Sequence, residues 1–157
     1  MFLKLLLILV FSSFNLWAQN LSEERIWKID SRKKSIYLGS GIFHLSQGSG
    51  QNKILAIRSS YVPSRGYERL VIDFSQSLPP KTYGHISQKI KKIQIDFFDS
   101  ELPQSISSLR NSQYVKNVDF LALDENQVNM EINLKSEVNF DIFYLENPGR
   151  LVIDIKP

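Results

Sequence analysis

Two segments, Arg69-Leu-Val-Ile-Asp73 and Arg150-Leu-Val-Ile-Asp154, spell the same five residues 81 positions apart. A looser echo, Lys92-Ile-Gln-Ile-Asp96-Phe97, lies between them, and its continuation Phe98-Asp-Ser-Glu-Leu-Pro103 parallels Phe74-Ser-Gln-Ser-Leu-Pro79 after the first copy. Each is a short β-branched run that ends in Asp and then a turn, which is the pattern of a strand. Repetition at this spacing suggests a pseudo-symmetric β domain that reuses one strand type. Period-two alternation puts Leu70, Ile72 and Phe74 on one face of the first copy, with Arg69, Val71 and Asp73 on the other. The same parity turns Leu151, Ile153 and Ile155 inward and Arg150, Val152 and Asp154 outward. One buried and one solvated face is the expectation for an antiparallel sheet.

Working outward, Lys53 to Arg58 reads as a strand, Val62 to Tyr67 as a turn, and Tyr83 to Ile86 and Lys89 to Phe98 as further strands. Val115 to Leu123 and Gln127 to Leu134 flank a turn at Asp124-Glu-Asn126 and read as a hairpin, with Val128, Met130, Ile132 and Leu134 on one face. Val138 to Leu145, the Asn147-Pro-Gly149 turn and the second copy close the chain. Residues 99–112 hold the one candidate helical turn, with Pro103, Ile106 and Leu109 on its apolar side. Short strands separated by regular turns predict an all-β fold, a sandwich of two small, mostly antiparallel sheets with pseudo-symmetric signature strands.

The two ends of this domain, Arg69-Leu-Val-Ile-Asp-Phe74 and Leu145-Glu-Asn-Pro-Gly-Arg-Leu-Val-Ile-Asp154, resemble the signature ends of the AMIN domain. That domain is a periplasmic β module attached to cell-wall amidases and type IV pilus secretins. The resemblance spans residues 52–157. It implies that the two signature motifs lie on the outer faces of two similar sheets, and that the module binds peptidoglycan there through Arg69, Asp73, Arg150 and Asp154. An Arg fork suits the carboxylates of peptide stems, and Asp accepts hydrogen bonds from hydroxyls and amides. The plainer role for the same residues is cross-strand pairing, worth about 0.2–1 kcal/mol.

Ahead of the module, residues 1–18 read as a secretory signal peptide: Lys4 is the basic start, Leu5 to Phe14 the apolar run and Ala18 the cleavage residue. The apolar run is shorter than the roughly 20 residues that span a bilayer. Residues 19–51 read as an extension and linker. In it, Arg25 to Asp30 and Ser35 to Gly39 are strand-like runs joined by a charged hairpin turn at Ser31-Arg-Lys-Lys34, and Gln47-Gly-Ser-Gly-Gln51 is a long turn. The expected destination is the periplasm.

Composition narrows the functions. With no cysteine, the sequence offers no disulfide or thiolate metal site. A net charge of +3 is too small an excess to argue for nucleic acid. The two histidines, His44 and His85, stand far apart without metal-spacing partners, and no zinc-protease motif or nucleophile elbow is present. A zinc amidase core needs His and Glu ligands that this chain lacks, so the resemblance reaches the targeting module of those enzymes and stops there. Asp96, Asp99 and Glu101 form a local acidic cluster that reads as a solvated strand end, with a small carboxylate enzyme as the remote alternative. Tyr67, Tyr114 and Tyr144 are candidates for stacking on sugar rings or for the core edge. The expectation is a non-catalytic module without cofactor or metal, whose partner is peptidoglycan. The alternative is a structural subunit docking by strand pairing on an envelope complex such as a pilus secretin.

Overall fold

Alternating apolar residues become strands along most of the chain. The computed structural model describes residues 25–31, 35–48, 50–102, 105, 109 and 111–157. The expected signal peptide at 1–18, the centre of the expected turn at 32–34, Ser49 of the glycine–serine tract, and Pro103 and Ile106 of the expected helical turn lie outside the described residues. Among those described, the strands are β1 (Ile26–Lys28), β2 (Gly41–Leu45), β3 (Asn52–Val62), β4 (Tyr67–Phe74), β5 (Thr82–Ser87), β6 (Lys92–Phe98), β7 (Ser100–Glu101), β8 (Val115–Asp124), β9 (Gln127–Leu134), β10 (Asn139–Leu145) and β11 (Arg150–Lys156). A six-stranded sheet has the order β1-β2-β5-β6-β9-β8, and a five-stranded sheet the order β10-β11-β4-β3-β7. Neighbours are antiparallel except β1–β2 and β3–β7. The fold is thus the expected all-β sandwich.

Parity decides what fills it. Leu70, Ile72 and Phe74 of β4 and Leu151, Ile153 and Ile155 of β11 are buried in one core with Ile93, Ile95 and Phe97 of β6 and Val128, Met130, Ile132 and Leu134 of β9. Phe74 and Phe97 meet across the two sheets edge to face, ring centres 5.4 Å apart and planes at 65°. Each such buried side chain stabilises the fold by about 1.5–3 kcal/mol.

The two signature strands lie side by side in the five-stranded sheet. Arg69 is registered on Asp154, Leu70 on Ile153, Val71 on Val152, Ile72 on Leu151 and Asp73 on Arg150. The five-residue word therefore runs antiparallel to itself about a local two-fold axis between Val71 and Val152. This corrects the placement on two separate sheets that the resemblance implied. The reason is complementarity: read antiparallel, Arg-Leu-Val-Ile-Asp sets a cation opposite a carboxylate at each end and apolar side chains opposite one another between. The looser echo became β6, in the other sheet.

Residues 25–31 and 35–48 depart from the expected hairpin. β1 pairs with β2 in parallel, and Ser35 to Gly39 forms only a single bridge, at Leu38. The strand forms a few residues later, where glycine permits close approach: Gly41 has φ 146°, and a Cβ there would lie 2.5 Å from the Arg25 carbonyl oxygen. On β5, Gly84 is registered on Phe43, whose ring occupies the space a Cβ would need. The chain between β1 and β2 laces the sheets together. The Ile29 amide donates to the His44 carbonyl (2.8 Å), the Tyr144 amide to the Asp30 carbonyl (3.2 Å), and Leu38 and Phe140 exchange bonds of 2.7 and 2.8 Å. Ile29, Phe43 and Leu45, all N-terminal to the boundary placed near residue 51, are buried in the core shared with β3–β11.

Local chemistry accounts for the remaining segments. β8 and β9 form the expected hairpin over Asp124-Glu-Asn126, where the Asn126 amide donates to Asp124 Oδ1 at 2.7 Å. Within 99–112, Ser100–Glu101 pairs with β3 and Leu102 and Leu109 pack on the core; among the described residues there is no helix. Glu68, only 1% exposed, anchors the end of this crossing by accepting from Ser112 Oγ (2.9 Å) and the Tyr114 amide (2.8 Å).

Because Phe43 is fully buried and spans to β5, Phe43→Ala is expected to lower global stability by about 3–5 kcal/mol. Urea unfolding monitored by far-ultraviolet dichroism measures this. A loss below about 1 kcal/mol, the range of a surface substitution, would mean that β2 is an appendage rather than part of the core.

Candidate functional site

The Asn147-Pro-Gly149 turn sets the register of the site. It joins β10 to β11 through a cis Asn147–Pro148 peptide, with Asn147 at φ 52°. The turn docks on the loop after β4: the Asn147 amide donates to Ser77 O (2.9 Å), the Gly149 amide to Gln76 O (2.8 Å), and the Phe74 amide to Gly149 O (3.0 Å). A Cβ at Gly149 would sit 2.5 Å from the Leu78 carbonyl carbon, so only glycine allows this approach. Asn52, buried beside it, donates to Leu78 O (3.0 Å) and accepts from Ser75 Oγ and the Gln76 amide, which holds the receiving loop. The end of one signature thus latches onto the end of the other.

With register set, the outer face of the five-stranded sheet becomes rows across β10, β11, β4 and β3. Asp141, Asp154, Arg69 and Ser60 make one row, and Phe143, Val152, Val71 and Arg58 the next. In the first row Arg69 grips Asp154 with two parallel bonds, Nε to Oδ1 at 2.7 Å and Nη2 to Oδ2 at 2.8 Å. The guanidinium also lies 5.3 Å from the Tyr67 ring centre and 5.5 Å from that of Phe143. It is therefore oriented by a carboxylate and held between two aromatic rings. The hydrogen bond to Asp154 raises the Arg69 pKa above its ordinary value, against the opposing effect of burial.

The two-fold symmetry of the backbone is not kept by the side chains. Asp73, the counterpart of Asp154, is gripped by Arg58 of β3 instead, with both bonds at 2.7 Å. That hydrogen bonding raises the Arg58 pKa. Arg150, registered on Asp73, makes among the described residues only a long 3.4 Å bond from Nε to the Pro148 carbonyl. So the four residues singled out from the sequence share one face, but only Arg69 and Asp154 form the pair their register suggests. The outward side of β11 is also less solvated than alternation predicts: Val152 is 1% and Asp154 2% exposed. The cause is local, since Phe143 flanks Val152 and the Arg69 fork lies on Asp154.

An open-sided cleft of about 530 Å³ lies on this face. Arg69, Asp154 and Phe143 line it together with Tyr67 at the start of β4, Arg65 from the β3–β4 turn, and Tyr37 from the segment ahead of β2. The turn is stiff: the Arg65 and Gly66 amides both donate to Val62 O at 3.0 Å, and Gly66 takes φ 66°. Arg65 is exposed, and among the described residues its side chain has neither a hydrogen bond nor an ion pair. Arg58 and Arg65 escaped the sequence reading. Arg58 is identified only by its register, which includes a β-bulge between Ile54 and Ala56. For Arg65 a signal existed, a cation in a Ser-Arg-Gly turn abutting the signature strand.

The AMIN domain family model matches residues 60–155. The chain belongs to the AMIN domain family. No curated protein matches the sequence. Within this AMIN domain the matched region begins in β3, so Tyr37 and Ser35 at the cleft lie ahead of it.

The other candidates from the sequence take separate partners. Asp96 accepts from Asn129 at 2.8 Å on the outer face of the six-stranded sheet, and Glu101 pairs with Lys53 at 3.1 Å and bonds Gln51. Neither they nor Asp99 line the cleft. Among the described residues no group of three or more His, Asp or Glu side chains could hold a metal ion. Tyr144 is buried and its hydroxyl lies 3.2 Å from Gln47 Oε1, while Tyr114 packs edge to face on Tyr61. His44 Nδ1 lies 3.3 Å from Ser46 Oγ. On the same outer face as Asp96, Glu131 accepts from Lys92 Nζ and Gln94 Nε2, each at 2.8 Å, and these bonds lower its pKa below the ordinary 4.5.

The ion pairs differ in depth, and their strengths should differ accordingly. The Arg69 and Asp154 side chains are 38% and 3% exposed, against 59% and 17% for Arg58 and Asp73. A double-mutant cycle with Arg69→Met and Asp154→Asn is therefore expected to give a coupling of about 1–3 kcal/mol, and the Arg58/Asp73 cycle only about 0.2–1 kcal/mol. Equal couplings from urea unfolding would contradict the ranking. For Glu131 the folded pKa is the lower one, so its contribution is complete above the ordinary carboxylate range and disappears as pH falls through the lowered value. Glu131→Gln should cost up to about 1 kcal/mol at neutral pH, with the difference vanishing in acid; a difference independent of pH would contradict the assignment.

Proposed function

We propose that this AMIN domain is a non-catalytic, exported module that holds itself, or a partner, at the cell wall by binding peptidoglycan through the outer face of the five-stranded sheet. AMIN domains are non-catalytic modules associated with peptidoglycan and the periplasm. The observation that carries the assignment to this face is the cleft, where guanidinium groups and aromatic rings meet on the sheet that holds both signature strands. Guanidinium forks suit stem-peptide carboxylates, and rings suit the apolar faces of sugars. Arg69 and Arg150 are the contacting residues in this reading. Asp154 orients Arg69, and Asp73, engaged by Arg58, shapes the charge beside Arg150. The expected signal peptide at residues 1–18 would deliver the chain to the periplasm.

A specific feature favours a second reading, docking on an envelope protein complex. β8 is a ten-residue edge strand, and Leu121 and Leu123 on it are 60% and 51% exposed. An open edge of this length can accept a strand from another protein.

Co-sedimentation with purified, protein-free sacculi separates the two. Wild-type protein is expected to be retained, and Arg69→Ala/Arg150→Ala to bind roughly tenfold more weakly, as for loss of charge-assisted hydrogen bonds. Absence of retention would overturn the wall-binding proposal and leave strand docking.

A further inference from the structure

We propose that the cleft is a carboxylate-binding site in which Arg65 receives the terminal carboxylate of a peptide stem, with Tyr37, from ahead of the family-matched region, as one wall. The inference rests on the reading that this face meets the wall, and it names the chemical group recognised there. Three observations converge on it. First, the two guanidinium groups of the cleft differ in availability. The Nε and Nη2 atoms of Arg69 are committed to Asp154, whereas among the described residues Arg65 has no side-chain partner. Second, the ionised groups lining the cleft are Arg65, Arg69 and Asp154, while Lys156 stands 5.5 Å over the Tyr37 ring and Asp141 is registered on Asp154; three cations against two carboxylates leave one positive charge. A single carboxylate neutralises it, while a dianionic phosphate would bring excess negative charge beside Asp154. Third, the rings of Tyr37, Tyr67 and Phe143 line the same open-sided cleft and give the apolar part of a peptide end a surface to lie on while its carboxylate meets Arg65.

Arg65 is also placed rather than loosely displayed. Its amide and that of Gly66 close the β3–β4 turn on Val62 O, so its backbone is fixed beside the cleft. The Tyr37 wall is held by the neighbouring Leu38–Phe140 pair of backbone bonds, at 2.7 and 2.8 Å. A segment N-terminal to the matched region thus adds one side to a cleft on the sheet face. Without Tyr37 the same face would retain Arg65 but lose that side.

The test is a nuclear magnetic resonance titration of the ¹⁵N-labelled protein with N-acetyl-D-alanyl-D-alanine and with its C-terminal amide, alongside inorganic phosphate. The acid should shift the amides of residues 65–69 and 143–145, and the amide form should bind roughly tenfold more weakly. Arg65→Gln, at an exposed turn position, should abolish the response, and Tyr37→Ala should weaken it several-fold. Lys116→Gln, at an exposed position on β8 of the other sheet, should leave it unchanged. Equal binding of phosphate and the peptide acid would overturn carboxylate selectivity. No response to the acid, with sacculi still retaining the protein, would overturn the inference and leave wall binding intact. A response at Arg65 without retention on sacculi would support the carboxylate site and overturn the wall-binding reading.

Discussion

The antiparallel pairing of β4 with β11 is the constraint on which the five-stranded sheet and its outer face depend. Its register matches opposite charges at the ends and apolar residues between, and a one-residue slip would turn Leu151, Ile153 and Ile155 out of the core. The Asn147-Pro-Gly149 turn makes that slip sterically unavailable by seating Gly149 against the backbone after β4. The signature is therefore first a device for closing the domain. Its charged ends then differ in how far closure engages them.

That ordering explains the division of labour on the outer face. Asp154 is almost fully buried and must have a partner, so Arg69 is drawn onto it and sandwiched by Tyr67 and Phe143. At the other end Asp73 is met by Arg58, which leaves Arg150, among the described residues, with one long backbone contact. Two identical sequence words thus yield a rigid, satisfied end and a loosely held one. Arg65, in neither word, is the cation the face leaves unengaged among the described residues.

Much of the fold was legible because parity is local. Alternation in Leu70, Ile72 and Phe74, and in Val128 to Leu134, predicts the core faces that the sandwich uses. β11 was harder, because Val152 interrupts the alternation with another apolar residue and nothing nearby signals that Phe143 will cover it. The partnership of the two signature strands depends on contacts 85 residues apart, as between Arg69 and Asp154, and no turn chemistry encodes it. Resemblance supplied the family but put the strands on separate sheets. The chain ahead of β3 was least legible, since its path is governed by glycine contacts at Gly41 and Gly84 that become visible only once β1 and β5 are in place. At the site, Arg69 and Asp154 were readable as a pair of types, whereas Asp73 was assigned without knowledge of Arg58, which reaches it only through the register of β3.

We propose that recognition occurs on the outer face of the five-stranded sheet, around the Arg69–Asp154 clamp. Backbone amide chemical-shift mapping with solubilised peptidoglycan fragments tests it most directly. The account predicts perturbations clustered at residues 65–69, 143–145 and 150–154. Perturbations clustered instead on the outer face of the six-stranded sheet, at residues 92–96 and 129–133, would contradict it.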